Sequence, residues 1–227
     1  MIDPSVRGAP VGLPAARHLA ARGCVEPRER PIELPPLGRC PRHSCMVVFV
    51  ADDSGSVVGG NDCVGRRYDE AHAVVAHMHR YCNCRRELAA VLHFDRATGF
   101  DAGPTRLDRK GVLRLGRGLQ VPRGGIGSSE LGPSLADAER IAEAYPTHHV
   151  VLCVLSDFEL FDSDVDAVLK RLCDFPGTVH AIVLQSEPPP LLLRSGVQVT
   201  RIHWGSERGD AARAALGAFT AARGSTP

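Results

Sequence analysis

The run Val47-Val48-Phe49-Val50-Ala51 carries no polar residue at any position. A strand with one wet face alternates apolar and polar residues, so an unbroken run reads as a strand covered on both faces. It stops abruptly at Asp52-Asp53-Ser54-Gly55-Ser56. In open α/β sheets the carboxyl ends of such strands are where binding sites lie. Asp52, Ser54 and Ser56 place an oxygen donor at every second position, one charged and two neutral. That is a hard donor set suited to Mg²⁺ or Mn²⁺.

The same apolar pattern recurs down the chain, separated by segments of helical period. Strands are expected at 45–51, 86–94, 149–155, 179–184 and 197–204. Helices are expected at 68–80, 133–145, 162–173 and 208–222, with Asp162 or Ser163 capping the third. Residues 95–110 read as a loop or poor edge, and 112–119 as a short strand or a turn of helix. Alternating strands and helices imply βαβ units, a doubly wound and mainly parallel sheet with helices on both faces. Neither a G-x-G-x-x-G after the first strand nor a G-x-x-x-x-G-K-[ST] is present, which argues against dinucleotide-binding and P-loop folds.

Residues 1–44 are broken by Pro31, Pro35, Pro36 and Pro41 and read as an extension, with the α/β domain at 45–227. Of 227 residues, 44% are hydrophobic and 23% charged, ordinary for a globular protein. A net charge of +1 gives no general attraction to nucleic acid or acidic membranes. No apolar run reaches the roughly 20 residues that span a bilayer, and 1–23 has no signal-peptide core, so a cytoplasmic location is expected. The eight cysteines are then expected as thiols. Cys40, His43 and Cys45 resemble half a zinc site, as do His79, Cys82 and Cys84, without a regular C-x-x-C in either. The two halves can combine only if the fold brings them together.

Two further segments offer metal-type donors. Ser128 and Ser129 lie in the glycine-rich turn 124–130 that opens a helix, and Asp157 ends the strand 149–155. Together with Asp52-x-Ser54-x-Ser56 this order resembles a von Willebrand factor A domain with a metal-ion-dependent adhesion site. That family carries D-x-S-x-S, a G-G-T-x-x-G-x-A-L turn and a T-D-G after a later strand. Here Ser129 stands where Thr is usual, and Phe158 where Gly is common. Should Ser128 be the ligand, the register shifts by one. Serine loses the methyl group that restrains the threonine rotamer, and Phe158 is expected on the rim, narrowing the face or offering an apolar contact.

The resemblance implies a Rossmann-like fold and a Mg²⁺ or Mn²⁺ held by Asp52, Ser54, Ser56, Ser129 and Asp157. It also implies a non-enzymatic, metal-dependent protein-interaction module whose open coordination position takes an Asp or Glu carboxylate of a partner. Intracellular bacterial members work beside AAA-type ATPases or in stress and conflict systems, so such a partner is expected by resemblance alone. Two other readings stand beside it. One is a metal-dependent hydrolase or phosphotransferase, with His93 as the first base to test. The other is a domain that keeps the fold without the metal. Asp53 is expected as a solvated acid or one behind the ligands, and the Arg-rich stretch 106–123 as a solvated loop.

Overall fold

The computed structural model describes residues 31–40, 43–58, 66–82, 84–95, 99–120 and 127–224. Its centre is β1 (Ser44–Ala51), which is buried on both faces. Cys45, Val47, Phe49 and Ala51 enter one apolar cluster, and Met46, Val48 and Val50 the other. This period of two, with both phases apolar, is why the strand reads as a continuous run. The remaining strands are β2 (Leu88–His93), β3 (Ala102–Arg106), β4 (His148–Ser156), β5 (Thr178–Leu184) and β6 (Gln198–Ile202). Their order is β3-β2-β1-β4-β5-β6. All neighbours run parallel except β3, which pairs antiparallel with β2 at the edge.

Helices cover both faces. On the first lie α1 (Arg66–Tyr81), α2 (Arg109–Gly118) and α6 (Asp210–Gly224). On the second lie α3 (Gly132–Ala144), α4 (Val165–Cys173) and the short α5 (Pro190–Arg194). In α1, Ala71, Val74, Val75 and Met78 form the buried stripe expected of a 3.6-residue period. Ile32 onward belongs to one compact unit, and Leu37 is buried in the first-face cluster.

Two sequence readings left open are decided, and one expectation changes. Residues 102–106 form a strand despite Pro104, because an edge strand can spare one ladder donor. Residues 109–118 are helix despite three glycines. Gly111 is there because the helix presses on β3: a Cβ would land on the Arg106 carbonyl oxygen and 2.9 Å from Thr105 Cγ2. Gly111→Ala is expected to push α2 off the sheet at a cost of about 1–3 kcal/mol, readable as a lower urea midpoint with an unchanged slope. Asp164, not Asp162 or Ser163, caps α4, accepting from Ala167 N at 2.9 Å. Asp162 instead caps α3 from a distance, accepting from Leu131 N at 2.9 Å and Gly132 N at 2.8 Å.

Candidate metal centre

β1 and β4 are neighbours, with β2 and β5 running outward on either side. The carboxyl ends of β1 and β4 therefore flank the point where the winding reverses, the crevice that α/β sheets use for ligands. Asp52 follows β1 and Asp157 follows β4, both essentially inaccessible to solvent. The backbone ties the segments together. Asp52 N donates to Leu155 O at 3.0 Å, and Gly127 N donates to Asp53 O at 2.9 Å within a Ser54–Gly127 bridge. Phe161 N donates to Ser129 O at 3.0 Å, joining the loop after β4 to the turn before α3.

The Asp52 side chain is gripped by neutral donors. Ser54 N donates to Oδ1 at 2.8 Å, and Ser156 Oγ donates to Oδ2 at 2.5 Å. Burial raises its carboxyl above the ordinary value; those hydrogen bonds pull it back, and the Asp157 charge pushes it further up. Ser54 Oγ and Ser56 Oγ lie 3.1 Å apart. The Asp157 side chain accepts from Glu159 N at 3.1 Å, and its carbonyl accepts from Ser186 Oγ. Ser129 is buried, whereas Ser128 Oγ is occupied in a local turn, accepting from Glu130 N at 3.3 Å. Of the glycine-rich turn, residues 124–126 lie outside the described residues. Two buried carboxylates, the charge of Asp157 raising Asp52, with hydroxyls beside them, fit a hard divalent cation. Asp52, Ser54, Ser56, Ser129 and Asp157 are the residues that would hold it.

Two side chains depart from expectation, and the place of a third is decided. Of the two places expected for Asp53 it takes the one behind the donor set and is not solvated; period-two alternation turns its side chain to the other sheet face. It accepts from Arg67 Nη2 at 2.7 Å, from Tyr68 Oη, and from His93 Nδ1 at 2.6 Å. Burial alone would raise this carboxyl. The hydrogen bonds from His93 and Tyr68 and the charges of His93 and Arg67 outweigh it, holding Asp53 below its ordinary value. His93 uses its other nitrogen on Gly118 O at 3.0 Å and is 1% exposed. Both nitrogens are committed, so His93 is a brace between β2 and α2 and is not placed as a base for hydrolysis.

Phe158 does not line the rim. It is buried in the second-face core, at φ 58°, the left-handed region that glycine occupies without cost. The ring's burial offsets that strain. Phe158→Gly is expected to lose about 3–5 kcal/mol of packing and regain about 1–2 kcal/mol of backbone strain. Net destabilisation in a urea titration should therefore be about 1–4 kcal/mol. Two exposed aromatics follow the carboxyl ends of strands: Phe161, four residues after Asp157, and Trp204, just beyond β6. Sequence reading missed both, because nothing local tells an exposed loop aromatic from a buried one.

The sequence matches no protein-family model and no curated protein. Solved structures do match. The von Willebrand factor type A protein from Catenulispora acidiphila superimposes with a TM-score of 0.58 at 16% identity, over 80% of this chain and 43% of that one. The conserved hypothetical protein BatB from Bacteroides thetaiotaomicron gives 0.57 at 12% identity, over 80% of this chain and 100% of that one. The pilus adhesin SpaC from Lactobacillus rhamnosus GG gives 0.58 at 12% identity, over 84% of this chain and 31% of that one. The chain thus spans less than half of the Catenulispora and Lactobacillus proteins and the full length of BatB. At these identities the likeness is one of fold, and the chain carries the fold of a von Willebrand factor A domain.

Proposed function

We propose that the chain is a metal-dependent protein-interaction module. Asp52, Ser54, Ser56, Ser129 and Asp157 hold Mg²⁺ or Mn²⁺, and the cation takes an Asp or Glu carboxylate from a protein partner. The observation that carries this reading is the convergence of two buried carboxylates and their hydroxyl neighbours at the β1–β4 switch point. Two acids leave a divalent ion formally neutralised but short of oxygen ligands. An incoming carboxylate completes the shell and adds directional affinity at the centre of an interface.

Exposed Phe161 and Trp204 lie after carboxyl ends of strands and supply apolar contact area on that edge. With the charge near neutral, neither nucleic acid nor membrane is the proposed partner. No helix among the described residues is long and apolar enough to cross a membrane. We place the module in the cytoplasm, with an AAA-type ATPase or a component of a bacterial stress or conflict system as partner; both rest on the resemblance. The test is Mn²⁺ titration of the full chain followed by electron paramagnetic resonance, beside capture of partners from native lysate with Mg²⁺ or chelator. Asp52→Ala should lose both the Mn²⁺ signal and the Mg²⁺-dependent capture. Retention of full Mn²⁺ affinity in Asp52→Ala overturns the reading.

A further inference from the structure

At the opposite, amino edge of the sheet the fold gathers thiols that lie far apart in sequence. Cys40 precedes β1, while Cys82 and Cys84 lie between α1 and β2. Their Sγ atoms all lie within 4.8 Å of one another, with Cys82 and Cys84 at 3.2 Å. The two half-motifs of the sequence thus contribute unequally. His79 is turned away, its Nδ1 on Leu107 O at 2.7 Å, and Cys45 is buried in the core.

We propose that Cys40, Cys82 and Cys84 form a second, soft metal site that binds Zn²⁺ and fastens residues 31–40 to the domain. Three ligands at a Zn–S length of about 2.3 Å in tetrahedral geometry stand roughly 3.8 Å apart. The cluster needs only small side-chain rotations to reach that spacing. Thiolate sulfur selects Zn²⁺ over Mg²⁺ or Mn²⁺, so the two sites do not compete for one ion. Backbone N–H groups already point at the sulfurs, from Cys84 to Cys82 and from Arg86 to Cys84. Such donors orient ligands from behind, while burial and the Glu87 side chain push the Cys82 thiol up, so the charge of the metal is what displaces its proton. Arg80 and Arg85 line the same cavity as Cys82.

Loading releases the thiol protons to solvent and leaves the fourth position to water. The segment being fastened is already engaged. Leu37 is in the core, its carbonyl accepts from Arg223 Nη1 at 2.7 Å, and His77 Nε2 meets Pro35 O at 2.9 Å. The metal would close this strap covalently near its end. A disulfide could use only two of the three sulfurs, whereas one ion uses them all.

The experiment uses the full chain, purified reduced and metal-free and titrated with Co²⁺ as an optical stand-in for Zn²⁺. Expected are near-ultraviolet thiolate-to-cobalt charge-transfer bands and intense tetrahedral visible bands, both displaced by Zn²⁺. Cys40→Ser, Cys82→Ser and Cys84→Ser should each weaken binding by roughly tenfold or more. Cys40 is exposed, so its variant tests the site without a folding penalty. Asp52→Ala should leave the bands intact, separating this site from the one at the carboxyl edge. Absent charge-transfer bands, unaltered Co²⁺ affinity in Cys40→Ser, or a native Cys82 disulfide in place of bound metal would each overturn the proposal.

Discussion

Asp52→Asn is expected to remove cation-dependent stabilisation while making the metal-free protein more stable than wild type. The two effects share one cause. Asp52 is buried, its hydrogen-bond donors are neutral, and the Asp157 charge lies close enough to raise its pKa. A carboxyl whose folded pKa lies above its unfolded value is penalised once ionised. The penalty is absent well below pH 3.8, grows as pH rises from there through the folded value, and is fully present above it. Asparagine carries no charge, still accepts from Ser54 N, and can donate to Ser156 Oγ, so the penalty disappears with the grip retained.

A bound divalent cation reverses the balance for wild type alone. At about 100 times the dissociation constant it adds about 2.7 kcal/mol, or roughly 5–10 °C in a domain of this size. Thermal melts in chelator and in saturating Mg²⁺ check both halves. Asp52→Asn should melt above wild type in chelator and below it in Mg²⁺. An equal Mg²⁺ shift in the two proteins would sink the assignment of Asp52 as a ligand.

The parts of the fold legible in sequence are those where burial leaves a one-dimensional trace. β1, β4 and β5 are apolar on both phases, and α1 carries its stripe at Ala71, Val74, Val75 and Met78. What escaped is what depends on a distant neighbour. β3 forms only because β2 offers a free edge, and α2 tolerates Gly111 and Gly118 only because they let it approach β3 and β2. The caps are similarly non-local. Glu70 of α1 accepts from Gly209 N at 2.9 Å and Ala212 N at 3.0 Å, closing the start of α6. Asp162 does the same for α3 across 30 residues. Local spacing rules, which missed even Asp164 by one or two residues, cannot find these.

The candidate site divides in the same way. Asp52, Ser54 and Asp157 sit at strand ends where the sequence put them, because a strand end is a local event. Phe158 was misjudged, and for Asp53 the sequence left open whether it is solvated or stands behind the ligands. The φ of Phe158 and the partners of Asp53 are set by the second-face core and by α1, elements remote in the chain.

Arg67→Met is expected to be among the most damaging single substitutions, although Arg67 is not itself one of the proposed metal ligands. Arg67, Asp53, Tyr68 and His93 form a buried charged cluster. The Arg67 and Asp53 side chains are 1% and 3% exposed, and the guanidinium also lies 4.4 Å from the Tyr68 ring centroid. Removing one partner of such a pair strands the other charge and costs about 3–5 kcal/mol, or roughly 6–20 °C of melting temperature here.

The pH dependence identifies the cause. Asp53 is held below its ordinary 3.8, so its contribution is present above that value and lost as pH falls through the folded value. Arg67→Met should raise the folded value, so the stability gap to wild type should narrow on acidification below about pH 4. Urea titrations in chelator at neutral and acid pH measure this. A constant gap would assign the loss to packing instead of charge.

The consequence for the metal centre is mechanical. Asp53 shares a backbone with Asp52, and its carbonyl holds Gly127 N at 2.9 Å, so the cluster on one sheet face fixes the turn that presents ligands on the other. Arg67→Met should therefore also weaken Mn²⁺ binding, by roughly 10–100-fold as for other supports behind a ligand. The variant would lower affinity by loosening the ligands' support, whereas Asp52→Asn would remove a ligand outright.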